Sequence, residues 1–106
     1  MHRNHGDKAM QQMWTEIDAY IDSHLTPEDP ILLQTLKNTE DKGFPDHLAV
    51  APNQGMLLQM LIQMNNCKRV LELGTFAAYS TMWLARALPK DGYILAIEGR
   101  HTHAAL

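Results

Sequence analysis

The sequence predicts an α/β fold in which amino-terminal helices precede the first βαβ unit of an open parallel sheet. Apolar residues recur at helical spacing through most of residues 1–66, and two short β-rich segments follow, Arg69–Leu73 and Tyr93–Ile97. The stretch from Lys68 to Glu98 has about thirty residues, the size of one βαβ unit. At 106 residues the chain is short for a complete sheet of this kind, which commonly needs about 150 residues. We therefore expect the sheet to be incomplete.

Charge and composition disfavour several classes of function. The chain carries 9 Lys and Arg against 12 Asp and Glu, and because the basic residues are scattered they offer no surface for nucleic acid. Cys67 is the single cysteine, so one chain can form neither an internal disulfide nor a cysteine-based zinc site. The start lacks a signal peptide's apolar core, and no apolar run approaches the roughly 20 residues of a membrane span. We expect a soluble, cytoplasmic protein without a membrane partner.

The amino-terminal segment predicts a short polar stretch followed by one amphipathic helix. Residues 1–8 are polar, and we expect them to be a frayed terminus, although His2 and His5 could suggest a metal-binding tail. Helical spacing then predicts a first helix from Met10 to Leu25. Its apolar face comprises Met10, Met13, Trp14, Ile17, Tyr20, Ile21 and Leu25.

Proline and glycine mark the limits of the second helix. The segment 26–30 reads TPEDP, which breaks the first helix and offers Thr26 or Asp29 as the N-cap of the next. We predict the second helix from about Ile31 to about Asp41, with Gly43 as its stop.

A loop and a third helix complete the helical part. Residues 44–46 form the loop, where Asp46 and His47 could suggest an acid/base pair, although adjacent loop residues need not face each other. The third helix is predicted from about Gln54 to about Asn65, beginning near Pro52 or Asn53. No repeat or linker interrupts the chain. We therefore expect residues 1–106 to belong to one domain, with a helical extension at 1–66 and the βαβ unit at 67–106.

The βαβ unit carries the residues with distinctive chemistry. Apart from Glu72, the strand Arg69–Leu73 is almost wholly apolar, as expected for a central strand covered on both faces. Gly74 turns the chain into a helix predicted at about 78–88, and the second strand ends on Glu98. Both places therefore lie at the carboxyl ends of parallel strands, where open α/β sheets bind their ligands.

The residues of the turn favour a nucleoside ligand that has no phosphate to bind. Residues 74–79 read GTFAAY, with one glycine where a dinucleotide site needs three, and no Gly-Lys-Ser/Thr triplet occurs. An NAD-dependent oxidoreductase is therefore disfavoured. A carboxylate at Glu98 can accept hydrogen bonds from ribose hydroxyls, and Glu72 favours a positively charged group. These features fit S-adenosylmethionine, and the alternative is that both acids cap helices or face solvent.

At these residues the chain resembles the class I methyltransferases, and specifically the caffeoyl-CoA and catechol O-methyltransferase-like family. The resemblance rests on VLELGTFAAYSTMWLARALPKDGYILAIE, similar to the family's cofactor motif and second strand, and on VAPNQGMLLQML before it. It implies a Rossmann-like methyltransferase fold and, by position, the cofactor contacts. Glu72, Gly74 and Thr75 would contact the methionine part of S-adenosylmethionine, Ser80 its carboxylate and Glu98 its ribose, with the backbone of Val50 nearby.

The chain departs from the family pattern at Ala78, where the family usually has glycine. The family also implies a divalent metal that orients the acceptor, held by residues from later strands that would lie beyond Leu106. His101 and His103 could imitate a metal pair, but in a helix start they do not share a face.

The resulting expectation is the amino-terminal half of an S-adenosylmethionine-dependent O-methyltransferase acting on a small, hydroxylated, catechol-like aromatic acceptor. The alternative is a non-catalytic remnant that binds the cofactor weakly or serves as a dimerisation module. Two parallel strands with open edges bury little surface, so we expect a marginally stable or self-associating chain, and a homodimer is plausible.

Overall fold

The computed structural model describes residues 5–27, 29–45 and 48–105, and it confirms the predicted order of elements. The chain runs through α1 (His5–Leu25), α2 (Pro30–Asp41), α3 (Pro52–Met64), β1 (Arg69–Leu73), α4 (Tyr79–Ala87), β2 (Tyr93–Ile97) and α5 (His101–Ala104). No helix among these residues is long and apolar enough to cross a membrane.

The two strands form a parallel sheet joined by α4. Arg69 pairs with Tyr93 at one end, and Leu73 pairs with Ile97 at the other. Because both strands point the same way and end in register, the residues after Leu73 and after Ile97 meet at one edge of the sheet. The predicted α/β class with an incomplete sheet is confirmed.

The core lies among helices α2, α3 and α4. Its buried members Leu32, Tyr79 and Trp83 come from α2 and α4. Partly buried side chains from α2, α3, α4 and the loop before α3 pack around them: Leu36, Ala49, Val50, Met56 and Met82. Helix α4 is thus the central element, and its position fixes the turn that precedes it.

Asp29 is the N-cap of α2 and decides between the two caps that the sequence offered. Its carboxylate accepts hydrogen bonds from the N–H groups of Ile31 at 2.9 Å and Leu32 at 3.2 Å. The same carboxylate binds the guanidinium of Arg86 on α4, with Nη2 at 3.2 Å from Oδ1. Hydrogen bonding to Arg86 lowers the pKa of Asp29, and the pair links the start of α2 to α4.

Helix α1 differs from its prediction in two respects. It begins at His5, so the expected frayed end is wrong for residues 5–8, whereas His2 lies outside the described residues. Most of its apolar face is exposed, since it contacts the rest of the chain through few groups, such as Asp18, which accepts a hydrogen bond from Asn53 at 3.1 Å. The exposed side chains are Met10, Met13, Trp14, Ile17, Tyr20 and Leu25.

The expectation that β1 is covered on both faces is wrong for this chain. Side chains alternate between exposed and half-buried along both strands, because α4 covers one face and no described element covers the other. The open face presents four aliphatic side chains, Leu71 at 62%, Leu73 at 75%, Leu95 at 56% and Ile97 at 49% exposure. The apolar sequence of β1 is typical of a strand covered on both faces, but the described residues cover only one face.

Candidate functional site

The turn after β1 adopts an unusual backbone conformation. Gly74 has φ +89°, and its N–H donates to the Ile97 carbonyl at 2.7 Å, which ties the turn to β2. A Cβ placed on Gly74 would meet nothing within 4 Å, so the space beside this backbone is open. Phe76 with φ +48° and Ala78 with φ +64° share the left-handed region. Three such residues within five make a narrow turn that leads directly into α4.

Glu98 holds this turn from the end of β2. Its Oε1 accepts the N–H of Phe76 at 2.8 Å, and its Oε2 accepts the N–H of Arg100 at 3.0 Å. Hydrogen bonds from the backbone of Arg100 and then of Phe76 lower the pKa of Glu98. A carboxylate has about four lone-pair positions, so each oxygen can still accept a further hydrogen bond. Glu98 can therefore hold the turn and a diol ligand together.

These bonds predict a pH dependence of stability. Because the folded chain lowers the pKa of Glu98 below its usual value of 4.5, the ionised form favours folding above that value, and the contribution is lost as pH falls through the lowered pKa. We expect Glu98→Gln to lose less stability than the parent chain between pH 7 and pH 3, as measured by urea unfolding. Equal losses would contradict the prediction.

Glu72 is bound by two hydroxyls of α4. Ser80 Oγ donates to Glu72 Oε2 at 2.6 Å, and Thr81 Oγ1 donates to Oε1. The side chain is thereby fixed behind the turn. The predicted bond from Ser80 to a cofactor carboxylate requires its hydroxyl to leave Glu72, while the contact between Thr81 and Glu72 was not anticipated from the sequence.

Two crevices open on this edge of the sheet and bring five of the six predicted residues together. The smaller, of about 100 Å³, is lined in part by Val50, Gly74, Thr75 and Ser80. The larger, of about 390 Å³, is lined in part by Thr75, Phe76, Glu98 and His103. Thr75 and Phe76 line both crevices, and Glu72 lies behind the smaller one through its bond to Ser80. Their contacts with a cofactor stay predictions.

An aromatic cluster borders the larger crevice through Phe76 and His103, which line it. His103 packs edge-on against Phe76, with ring centroids 4.8 Å apart, and against Phe44 at 5.3 Å. Phe44 comes from the loop after α2 and His103 from α5, so the contact could not be inferred from local sequence. His103 is therefore packed against aromatic rings.

Comparison with known proteins identifies the family. The O-methyltransferase family profile matches residues 22–106, most of the chain. The chain belongs to the O-methyltransferase family. A catechol O-methyltransferase of Niastella koreensis is 44% identical over 95 residues, covering 90% of this chain and 42% of the relative. Caffeoyl-CoA O-methyltransferase 2 of Petunia hybrida is 31% identical over 97 residues, covering 92% of this chain and 40% of the relative.

A solved O-methyltransferase shares the fold. The crystal structure of TomG from Streptomyces achromogenes, involved in tomaymycin synthesis and in complex with SAM, aligns with a TM-score of 0.78 at 41% identity. The alignment covers 90% of this chain and 42% of TomG. The resemblance to the catechol and caffeoyl-CoA enzymes is confirmed, and the chain spans about two fifths of their length.

The described part of this O-methyltransferase chain does not bring together a metal site. No group of three or more His, Cys, Asp or Glu side chains in residues 5–27, 29–45 and 48–105 could hold a metal ion. Asp46 and His47, considered above as an acid/base pair, lie outside the described residues. The divalent metal implied by the resemblance stays an expectation for the longer proteins.

Ala78 gives a direct test of strain in the O-methyltransferase turn. An alanine in the left-handed region costs about 1–2 kcal/mol, and glycine avoids that cost while losing more entropy on folding. We expect Ala78→Gly to raise the free energy of unfolding by about 0.5–1 kcal/mol, measured by urea denaturation. Ala77, which lacks a positive φ, is the matched control, and Ala77→Gly should destabilise. Equal effects at both positions would contradict the assignment of strain to Ala78.

Proposed function

We propose that the chain binds S-adenosylmethionine at the carboxyl ends of β1 and β2 and forms the cofactor-binding part of an O-methyltransferase. The observation that carries the proposal is that Gly74 and Glu98 lie close together at one edge of the sheet. Each lines one of the two crevices there, and Thr75 lines both. The SAM complex of TomG, which has the same fold, supports this choice of ligand. The acceptor we propose is a small catechol-like aromatic, since the chain is similar to catechol O-methyltransferases.

Each residue would contribute a separate interaction. The open space at Gly74 lets the methionine part of the ligand approach the backbone closely. Glu98 has lone pairs left for the ribose hydroxyls, and the carboxylate of Glu72 favours the positive charge of the ligand's amino and sulfonium groups. The bound cofactor would supply an electrophilic methyl group. These residues therefore bind and orient S-adenosylmethionine, the methyl donor. We assign deprotonation of the acceptor to the whole protein and not to the residues described above.

Calorimetry tests the ligand assignment. We expect saturable heat with S-adenosylmethionine, competition by adenosine, which retains the ribose, and no heat with NAD⁺ because the turn has one glycine. The sample must first show a helical circular dichroism spectrum. A folded chain that gives no heat with S-adenosylmethionine, or that binds NAD⁺ equally well, would overturn the proposal.

A second candidate is a non-catalytic module that binds cofactor weakly or forms a homodimer. The observation that favours it is the apolar surface left open on the sheet and on α1, where Trp14 is 52% and Leu73 is 75% exposed. Sedimentation velocity at increasing concentration tests the dimer, which should appear as a shift to a larger species. A methyl-transfer assay of the whole protein with a catechol acceptor separates the candidates, because only the enzyme would yield a methylated product.

A further inference from the structure

Two hydroxyls in the first turn of α4 bind the carboxylate of Glu72 between them. Ser80 Oγ donates to Glu72 Oε2 at 2.6 Å, and Thr81 Oγ1 donates to Glu72 Oε1. Each carboxylate oxygen therefore has its own donor, and both bonds are partly buried. Together the two bonds fix the position of the Glu72 side chain and the rotation of its carboxylate.

The two hydroxyls differ in what they can reach. Ser80 lines the smaller crevice beside Gly74, whereas Thr81 lines neither of the two crevices at this edge of the sheet. A ligand in the smaller crevice can therefore compete with Glu72 for the Ser80 hydroxyl. The Thr81 hydroxyl stays on Glu72 in either case.

Ser80 cannot serve Glu72 and a ligand at the same time. A serine hydroxyl carries one proton, so it donates either to Glu72 or to the carboxylate of a bound cofactor. The start of α4 favours an incoming anion, because its N-cap residue, Ala78, makes no side-chain capping bond and the positive end of the helix dipole lies there.

Thr81 determines what the transfer of the Ser80 bond costs. Once Ser80 has turned away, Thr81 is the one side-chain donor left to Glu72 among the described residues. A partly buried carboxylate that loses every donor pays its desolvation cost without compensation. With Thr81 in place, Glu72 keeps a bond throughout.

We propose that Thr81 is a positioning residue of the cofactor site, a role that rests on the function proposed above. When S-adenosylmethionine binds, Ser80 turns its hydroxyl from Glu72 to the ligand's carboxylate. Thr81 meanwhile holds Glu72 in place beside the positive charge of the ligand. Without the Thr81 hydroxyl, binding itself would strip Glu72 of its last donor, so the loss would appear in the affinity for the ligand.

Thr81→Val tests this role, because valine keeps the shape of threonine and lacks the hydroxyl. Isothermal titration calorimetry of the folded variant should show an affinity for S-adenosylmethionine about tenfold lower than that of the parent chain. Thr81→Ser restores the hydroxyl and should bind within about twofold of the parent. Thr15→Val, the same change at an exposed position of α1, is the matched control and should change nothing. Thr81→Ala replaces Thr81→Val should the latter not fold.

A second ligand distinguishes this role from a general effect on the shape of the site. Decarboxylated S-adenosylmethionine keeps the adenosine, the sulfonium and the amino group but has no carboxylate, so Ser80 can stay on Glu72 when it binds. Thr81→Val should therefore weaken its binding by less than about twofold. Equal weakening of both ligands, or unchanged affinity for S-adenosylmethionine, overturns the proposal.

Ser80→Ala gives an independent check. In this background no hydroxyl leaves Glu72 on binding, so the addition of Thr81→Val should leave the affinity for S-adenosylmethionine unchanged. The same loss in both backgrounds would contradict the role of Thr81. A folded parent chain that fails to bind S-adenosylmethionine overturns the proposed function as well, whereas a parent and a Thr81→Val variant that bind equally overturn the role of Thr81 alone.

Discussion

Glu98→Ala is expected to lower the affinity for S-adenosylmethionine by about tenfold to a hundredfold. The substitution removes the acceptor proposed for the ribose hydroxyls. It also releases the N–H groups of Phe76 and Arg100, so the turn that shapes both crevices keeps only the bond from Gly74 to Ile97 as its described link to the end of β2. Isothermal titration calorimetry of the folded variant measures the change.

Glu98→Gln separates these two effects. Glutamine keeps one oxygen acceptor without the charge, so we expect an affinity between those of the parent chain and the alanine variant. Asp91→Ala is the matched control, since Asp91 is an exposed acid paired with Lys68 at 3.1 Å near the opposite end of β2. The ribose assignment fails if Asp91→Ala weakens binding as much as Glu98→Ala does.

Gly55→Ala is expected to lower the free energy of unfolding by about 1–3 kcal/mol, although alanine is the better helix former by about 1 kcal/mol. A Cβ at Gly55 would lie 2.4 Å from Cδ1 and 2.4 Å from Nε1 of Trp83. Trp83 is buried in the core between α3 and α4 and cannot simply move aside. The steric conflict therefore outweighs the gain in helix propensity, and urea unfolding followed by circular dichroism should show the loss.

Two further variants identify the cause of that loss. Gln54→Ala, at the exposed neighbouring position of α3, should change stability by less than about 0.5 kcal/mol. In a Trp83→Phe background, the added methyl group meets a smaller ring, so Gly55→Ala should cost less than in the parent chain. An unchanged cost in that background would place the conflict elsewhere.

The order of the elements and most of their limits followed from local signals, although α1 begins at His5 and not at the predicted Met10. Helical spacing predicted α1, α2 and α3, and the apolar segments before Gly74 and Glu98 predicted both strands, because these patterns depend on near neighbours. The same pattern did not determine what covers each surface. The face of α1 and the outer face of β1 are apolar but exposed, since periodicity defines a face without defining its partner.

The meeting of the residues at the two strand ends could be predicted from the sequence, and the bonds around them only in part. The parallel register brings the predicted Gly74 and Glu98 together, as their places at the strand ends required. The bond from Thr81 to Glu72 and the contact of Gly55 with Trp83 depend on how α4 is seated, which no local pattern specifies. Gly55, a glycine within the apolar sequence of α3, was the one local signal of its close contact with Trp83.

The uncovered face of the sheet should also alter how the folded chain responds to hydrophobic dyes. Leu71 lies beside Leu95 and Leu73 beside Ile97, so the four side chains form one continuous aliphatic band. Anilinonaphthalene sulfonate fluoresces on such surfaces, a response usually taken as the mark of a molten state. We expect the native chain to bind this dye before any unfolding. Melting curves based on dye fluorescence would then begin high and understate the cooperativity that circular dichroism reveals.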